Sequence, residues 1–336
     1  MDIHRRLEEG LAGRYTISRM LGEGGMAQVY LAEDLKHNRP VALKVLRPEI
    51  SAALGTDRFL REIDVAAKLN HPNILALHDS GEAEGLLYFV MPLMEGESLR
   101  AKLDRQGQIP LAEALRIAAE IASALDYAHE RGMVHRDIKP ENILFQAGHA
   151  LVADMGIAQV ATAEGERLTR TGVAVGTFTY MSPEQLGGDE EVDGRSDVYS
   201  LGCLIHEMLS GTTPFEAPTP QASLTKKLTG ELANVAADRD DLPPTLQPVM
   251  EGALAVDVED RFPTAGAFVE KLQQATTRVA MEAEARRRHR RTGLRSAATI
   301  AGILAVGAAG WLMKQTMMGP VMDRIAILPF ENAMGD

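Results

Sequence analysis

The 336-residue chain has little cysteine, few aromatic residues and no excess of positive charge. Its single cysteine, Cys203, excludes an internal disulfide and a cysteine-rich metal site, which fits a domain that folds in a reducing compartment. The net charge of -12 argues against non-specific binding to nucleic acid, because such binding needs a basic surface. Residues 1–13 are polar and charged, so no secretory signal peptide is predicted there.

The chain does contain one dense group of reactive side chains, His-Arg-Asp-Ile-Lys-Pro-Glu-Asn at residues 135–142. This octamer offers a carboxylate at Asp137, a cation at Lys139 and an amide oxygen at Asn142. Phosphoryl transfer needs a carboxylate to accept the proton of the attacking hydroxyl, a cation near the moving group and oxygen ligands for magnesium. The octamer therefore predicts phosphoryl transfer, provided that other segments bind the nucleotide.

Two segments near the N-terminus could do so. Residues 22–29 read Gly-Glu-Gly-Gly-Met-Ala-Gln-Val after a strand-like run, and glycines in such a turn let backbone N–H groups approach phosphates. An ordinary hairpin loop would have a similar sequence. Lys44 lies in an apolar run, and Glu62 lies in a segment with helical spacing. A Lys44–Glu62 ion pair would hold the ammonium against the phosphates, whereas an unpaired Lys44 would face solvent.

Three further motifs follow in order: Asp154-Met155-Gly156, Met181-Ser182-Pro183-Glu184, and the run from Ser196 to Gly202. Asp154 ends an apolar strand and precedes a glycine, which suits a second magnesium ligand. With the glycine-rich turn, the strand lysine and the octamer, these motifs resemble the eukaryotic-type Ser/Thr protein kinases of bacteria over roughly residues 13–275.

The resemblance implies an α+β, bilobal protein-kinase fold. Residues 1–12 would be an N-terminal leader, residues 13–95 a small antiparallel β lobe with one main helix, and residues 96–275 a larger α-helical lobe. The nucleotide would lie in the cleft between the two lobes.

The resemblance also implies roles for individual residues. Asp137 would be the catalytic base and Lys139 would steady the transferring phosphate. Asn142 and Asp154 would bind Mg²⁺, for which Mn²⁺ could substitute. Lys44, paired with Glu62, would contact the α- and β-phosphates. The remaining residues expected around ATP are Leu21, Gly22, Glu23, Gly24, Gly25, Val29, Ala42, Met91, Pro92, Met94 and Leu144.

Several of these positions depart from the common pattern of the family. Pro92 has no N–H, but the resemblance requires only its carbonyl, and the N–H toward the purine would come from Met94. Ala27 replaces the third glycine of the turn, and Met155 replaces the usual phenylalanine. Neither change removes a catalytic atom, although an inactive pseudokinase remains an alternative.

The resemblance also implies which side chains accept the phosphate and how the enzyme is regulated. Lys139 and Thr177 match the pattern of kinases that phosphorylate serine or threonine. Thr169 and Thr171 lie where related kinases autophosphorylate, and a phosphothreonine could order the loop against Arg136. A threonine-rich loop that is only solvated is the alternative.

Other motif residues are predicted to support the fold. Asp197 would accept hydrogen bonds from the backbone of the octamer, and Glu184 would pair with Arg261. His135 would pack in the core and take no part in catalysis.

A basic cluster at Arg286–Arg295 precedes Ala297–Met313, which is uncharged over 17 residues. A helix of that length covers ~26 Å, near the lower limit for a hydrocarbon core of ~30 Å. We predict a basic juxtamembrane segment at 276–296 and a transmembrane helix at 297–313, with a buried core helix or an interfacial helix as alternatives. The arginines would bind anionic lipid and keep the kinase domain on the cytoplasmic side of the bacterial inner membrane.

Residues 314–336 would then form an extracytoplasmic tail. Residues 324–332 resemble the opening strand of TolB-like periplasmic domains, so we expect this tail to be the start of a truncated domain. A short tail that pairs with another protein is the alternative.

Together these features predict a membrane-anchored, non-specific serine/threonine protein kinase. Its expected partners are ATP, proteins that carry acceptor serine or threonine, and the membrane; nucleic acid is not expected, and a homodimer is left open. Two alternatives are a signalling scaffold that binds nucleotide without turnover and a phosphotransferase that acts on small molecules. Thr177 and Ser182-Pro183-Glu184 disfavour the latter, because they would build a groove for a protein substrate.

Overall fold

The computed structural model describes residues 3–54, 56–155, 178–188, 192–237, 239–277, 305–314 and 317, without the side chains at positions 53, 54, 58 and 62. The chain divides into two units, Met1–Thr277 and Arg278–Asp336.

The first unit begins with a small lobe built on an antiparallel sheet. Its strands are β1 (Tyr15–Glu23), β2 (Ala27–Asp34), β3 (Arg39–Leu46), β4 (Asp79–Ala83) and β5 (Leu86–Pro92). They lie in the order β1-β2-β3-β5-β4, and each pairs antiparallel with its neighbours. β3 and β5 lie between other strands and are apolar, so they are almost wholly buried.

Three helices accompany the sheet: α1 (Ile3–Gly10), α2 (Pro48–Leu54) and α3 (Thr56–Ala67). Most of the predicted leader is therefore helical, and Leu7 of α1 is fully buried among residues of the sheet. Helix α3 buries Phe59 and Ile63 in a cluster shared with β3 and β5. Four-residue spacing places these two side chains on one face of the helix.

The second lobe is mostly helical. Its helices are α4 (Leu99–Gln106), α5 (Leu111–His129), α6 (Pro183–Gly187), α7 (Gly194–Ser210), α8 (Pro220–Thr229), α9 (Leu246–Ala253) and α10 at residues 265–277. Strands β6 (Ile143–Gln146) and β7 (His149–Val152) form a hairpin just after the octamer. Helix α7 is buried along nearly its whole length, so it forms the centre of this lobe. The predicted succession of an antiparallel β lobe and a helical lobe is confirmed.

In the second unit, residues 305–314 are helical and exposed. Among the described residues no helix combines the length and the apolar character required to cross a membrane. The first part of the predicted span, residues 297–304, lies outside the described residues, as do residues 278–296 and almost all of the tail. The predictions for this part of the chain therefore remain predictions.

Candidate active site

The glycine-rich turn connects β1 to β2 at the edge of the small lobe. A Cβ added at Gly22 or Gly25 would meet no atom within 4 Å, and one at Gly24 would meet only the Ala27 carbonyl at 3.7 Å. Contacts within the chain therefore do not require these glycines. Their small size instead leaves the backbone of the turn open to a ligand.

Arg47, which follows β3, holds this turn from one side. Its backbone N–H donates to the Met26 carbonyl at 2.9 Å, and its side chain donates to the Gly24 carbonyl at 3.2 Å and to Glu23 at 2.8 Å. No motif in the sequence pointed to Arg47. Its position just beyond the strand that carries Lys44 is the only signal available.

Lys44 lies on β3 opposite Val29 of β2 and Phe89 of β5. Its Nζ forms an ion pair with Oδ2 of Asp154, and both side chains are less than one fifth exposed. The side chain of the predicted partner, Glu62, lies outside the description, although its backbone belongs to α3. The Lys44–Glu62 pair remains a prediction, and the direct contact with Asp154 is new.

The octamer places two side-chain donors, Lys139 and Asn142, on the carboxylate of Asp137. Lys139 Nζ donates to Asp137 Oδ2 at 2.7 Å, and Asn142 Nδ2 donates to the same oxygen at 3.0 Å and to the Asp137 carbonyl at 2.8 Å. Two donors on one carboxylate oxygen fix the orientation of the group. The other oxygen of Asp137 is left to accept a proton.

Asp197 of α7 supports this loop from beneath, as predicted. Its fully buried carboxylate accepts from the backbone N–H groups of His135 and Arg136, each at 2.8 Å, and contacts His129 Nε2 at 2.7 Å. Burial alone would lower the pKa of His129, but the hydrogen bond and the charge of Asp197 outweigh it and raise that pKa. Three donors satisfy a carboxylate that would otherwise be costly to bury.

His135 connects the octamer to the segment that carries Asp154. It is fully buried, as predicted, and its Nε2 donates to the Ala153 carbonyl at 2.9 Å while Nδ1 accepts from the Asp137 N–H at 3.2 Å. The Ala153 N–H donates in turn to the Asn142 carbonyl at 2.8 Å. Asn142 and Asp154 are thereby held as neighbours, although 12 positions separate them in the sequence.

Two residues beside the site have left-handed backbones, Arg136 with φ 67° and Asp154 with φ 63°. Such a conformation costs ~1–3 kcal/mol for a residue other than glycine and is concentrated at functional sites. The bonds to Asp197 hold Arg136 in place, and the bend at Asp154 comes where the side chain contacts Lys44.

These observations describe a strand lysine, a supported carboxylate and an amide–carboxylate pair beside a glycine-rich turn. A model of the protein kinase domain matches residues 15–273. The chain belongs to the protein kinase family. Within that family it is similar to bacterial eukaryotic-type Ser/Thr kinases.

Two curated relatives illustrate this similarity. The Ser/Thr protein kinase PknD of Mycobacterium tuberculosis is 42% identical over 257 residues, which cover 76% of this chain and 38% of PknD. PknB of the same species is 40% identical over 261 residues, which cover 76% of this chain and 42% of PknB. The chain thus matches only about two fifths of the length of each relative.

A solved structure supports the fold independently. The crystal structure of the M. tuberculosis PknI kinase domain aligns with a TM-score of 0.61 and 33% identity. The alignment covers 78% of this chain and 96% of the PknI domain.

The kinase family implies a divalent metal, and the donor atoms here fit one. Both N–H bonds of the Asn142 amide point to Asp137, so its oxygen is free to be a ligand. Asp154 adds a carboxylate. An amide oxygen and one carboxylate, completed by phosphate oxygens and water, suit Mg²⁺, which rarely has an all-protein set of ligands. Accordingly, no group of three or more His, Cys, Asp and Glu side chains suited to a metal occurs in the described part of the chain.

Five of the residues predicted to lie around ATP belong to one apolar cluster or pack against it. They are Val29, Ala42, Met91, Met94 and Leu144. Pro92 ends β5.

Leu21 is separate from this group. It is 39% exposed on β1 and is not among the residues of the cluster. The structure thus brings five of the residues predicted around ATP into one apolar cluster, and Leu21 lies outside that cluster.

The predicted activation loop is not described. Gly156 and the threonines at 169, 171 and 177 lie outside the described residues. Arg136, the expected partner of a phosphothreonine, donates to the Val192 carbonyl at 3.3 Å, and its buried Nε has no hydrogen-bond partner among the described residues.

The predicted Glu184–Arg261 pair is confirmed. Two nitrogens of Arg261 donate to the two oxygens of Glu184, each at 2.7 Å, and the arginine side chain is fully buried. Burial would raise the pKa of Glu184, but the bonds from Arg261 and Ser196 lower it. This pair joins the start of α6 to the segment before α10.

Proposed function

We propose that this kinase transfers the γ-phosphoryl group of ATP to serine and threonine hydroxyls of proteins, with Mg²⁺ as cofactor. One observation carries the proposal: the Asp137 carboxylate is held by Lys139 and Asn142, and Asn142 is held beside Asp154 and its partner Lys44. The similarity to two relatives named Ser/Thr protein kinases supports the type of acceptor.

The residues would divide the reaction between them. Asp137 accepts the proton of the acceptor hydroxyl as the oxygen attacks, and Lys139 stabilises negative charge on the group in transfer. Lys44 supplies positive charge for the other phosphates, beneath the backbone of residues 22–25. Mg²⁺, bound by Asn142 and Asp154, would neutralise charge that develops on the phosphate oxygens.

A transfer assay with the purified chain, labelled ATP, magnesium and dephosphorylated casein tests the proposal. Loss of a general base or of a key cation should slow transfer by at least about 100-fold, so we expect that loss in Asp137→Asn and in Lys44→Met. Lys68→Met is the matched control, because Lys68 is an exposed lysine just after α3 and its one ion pair among the described residues is with the exposed Asp64. Nucleotide binding by the parent chain without transfer would favour the scaffold alternative.

We also propose that phosphorylation at Thr169 or Thr171 activates the enzyme. The buried Arg136 Nε without a partner among the described residues is the supporting observation, since a phosphate would supply an acceptor. Mass spectrometry after autophosphorylation should find phosphate on one of these threonines. A doubly alanine-substituted chain that transfers phosphate at the parent rate would contradict the proposal.

Finally, we propose that the kinase domain faces the cytoplasm from a single membrane span at 297–313, with the C-terminus on the far side. The support is the uncharged run itself and the arginines at 286–295 that precede it. A homodimer is compatible with such an anchor. Cell fractionation of the full chain, compared with a chain that ends at Thr277, tests the span.

A further inference from the structure

Lys227 of α8 is a lysine in an unusual environment. It is only 3% exposed, whereas lysine is almost never fully buried without partners. Its Nζ donates to three main-chain carbonyls, those of Phe178 at 2.9 Å, Thr179 at 2.7 Å and Met181 at 2.6 Å. An ammonium has three N–H bonds, so all of its donors are used.

The charge of Lys227 has no carboxylate partner among the ion pairs of the described residues. Two aromatic rings take part instead, since Nζ lies 5.4 Å from the centre of the Tyr199 ring and 5.8 Å from that of Phe215. Burial lowers the pKa of Lys227. The carbonyl oxygens and the ring faces provide the negative potential that a buried ammonium needs.

The remaining carbonyl of the same segment is also held. Ser200 Oγ of α7 donates to the Tyr180 carbonyl at 2.8 Å, so side chains of α7 and α8 bind every carbonyl of residues 178–181. The Tyr180 hydroxyl donates to Glu207, also of α7. The path of this segment is therefore set by side chains of the helical lobe.

Residues 178–181 are connected to the octamer through the helix that follows them, α6. Ser182 begins a capping box with Gln185, and Gln185 Nε2 donates to the carbonyl of Arg136 at 2.9 Å. Arg136 immediately precedes Asp137. Phe178 is 39% exposed at the other end of the segment. The segment thus carries an exposed apolar side chain at one end and is linked at the other, through Gln185, to the residue before Asp137. This arrangement suits contact with a protein acceptor.

Stability alone does not account for a lysine here. A buried charge costs desolvation energy, and an apolar side chain of similar length would often be as stabilising or more so. What an apolar side chain could not do is bind three carbonyls at once. The specific effect of Lys227 is therefore on the path of the segment.

We propose that Lys227 is a positioning residue for the protein acceptor, because it holds residues 178–181 in the conformation that binds the acceptor beside Asp137. The inference rests on the proposed function. It concerns acceptor binding and not the nucleotide, since Lys227 contacts none of the residues assigned to ATP.

Steady-state kinetics with dephosphorylated casein and ATP, each varied separately, test the inference. Lys227→Met keeps the length of the side chain and removes its charge and donors. We expect the KM for casein to rise about tenfold, the equivalent of 1.4 kcal/mol, while the KM for ATP stays within twofold of the parent value. Lys226→Met is the matched control, because Lys226 is the preceding residue on α8 and its Nζ makes one hydrogen bond among the described residues, to the Glu216 carbonyl at 3.3 Å.

Each outcome bears on the inference. An unchanged KM for casein in an active Lys227→Met chain overturns it, and so does an equal rise in both KM values. If Lys227→Met does not fold, Lys227→Gln, which keeps two donors, is measured in the same way; failure of both to fold would show a role in stability only. A parent chain without transfer activity overturns the proposed function first, which separates that failure from this one.

Discussion

At the residue scale, the site depends on buried polar groups whose partners come from distant parts of the chain. Asp197 accepts a hydrogen bond from the backbone N–H of His135, two positions before the base. Arg261 binds Glu184, which lies 77 positions away in the sequence. Such groups stabilise the fold only while both partners are present, because a buried charge without its partner keeps the full cost of desolvation. Loss of a partner should therefore lower stability both at the Arg261–Glu184 pair and at the contact of Asp197 with His129.

Replacement of Arg261 should be among the most destabilising single changes in the helical lobe. Arg261→Met leaves the Glu184 carboxylate buried without its two donors, so we expect a loss of about 3–5 kcal/mol in the free energy of unfolding. Urea denaturation followed by circular dichroism measures it. The double variant with Glu184→Gln should recover part of the loss, and a cost below about 1 kcal/mol for Arg261→Met would contradict the prediction.

The His129–Asp197 contact should make stability depend on pH. The pKa of His129 is raised in the folded state, so its contribution is fully present below the unfolded value of 6.5 and is lost as pH rises through the folded value. The difference in unfolding free energy between the parent and His129→Gln should therefore shrink above pH 6.5. A difference that stays constant or grows between pH 6 and 9 would be inconsistent with this assignment.

At the scale of elements, the turn between β1 and β2 is a short piece of open backbone attached to β3 through Arg47. Three hydrogen bonds from one residue restrain it, two of them from an exposed side chain. The restraint is modest in energy, since exposed ion pairs contribute ~0.2–1 kcal/mol. It acts where the backbone would meet phosphate.

Arg47→Ala should therefore weaken nucleotide binding without stopping the chemistry. We expect the KM for ATP to rise about two- to fivefold, in line with a loss of ~0.5–1 kcal/mol, and kcat to change little. The effect should diminish at high salt. Arg5→Ala removes a comparable exposed pair on α1, with Glu9, and should leave the KM for ATP unchanged. Equal effects of the two substitutions would count against the role of Arg47.

At the scale of the whole molecule, the chain divides into two units, and the boundary in the sequence falls between Thr277 and Arg278. All the residues assigned to the site lie in the first unit. The second contains the run at 297–313 that we propose to span the membrane.

A chain that ends at Thr277 should retain catalytic activity and should no longer associate with the membrane. We expect its rate of casein phosphorylation to be within about threefold of the full chain, because every proposed ligand of ATP and magnesium is retained. In cell fractionation, the full chain should stay with the membranes through high-salt and carbonate washes, and the shortened chain should not. Release of the full chain by salt would indicate electrostatic attachment and not a span.

The parts of the site that sequence predicted are those whose chemistry is local. The three groups of the octamer, Asp137, Lys139 and Asn142, occur within six positions, so a single loop is enough to bring them together. In the structure Lys139 and Asn142 both donate to the Asp137 carboxylate. The bilobal fold was also predicted, as an implication of the resemblance to protein kinases, and so was the Glu184–Arg261 pair. The roles assigned to the residues around ATP remain predictions.

Other features could not be predicted because they depend on which surfaces meet. Lys227 and Lys226 are adjacent and identical in type, yet one is buried against three carbonyls and the other contacts one carbonyl at the surface. Lys44 and Asp154 lie 110 positions apart in the sequence, and their contact joins the two lobes. Helix α1 is short and half of its residues are charged, yet Leu7 is buried and Ile3 packs in the same cluster as residues of the sheet.

The sequence by itself therefore determined the family, the order of the functional groups and their chemistry, because those are properties of residue type and spacing. Tertiary structure decided which charges are buried, which carbonyls they bind and how residues 178–181 are held. The physical reason is that the cost of a buried charge, and the contacts that offset it, exist only once distant segments have packed together.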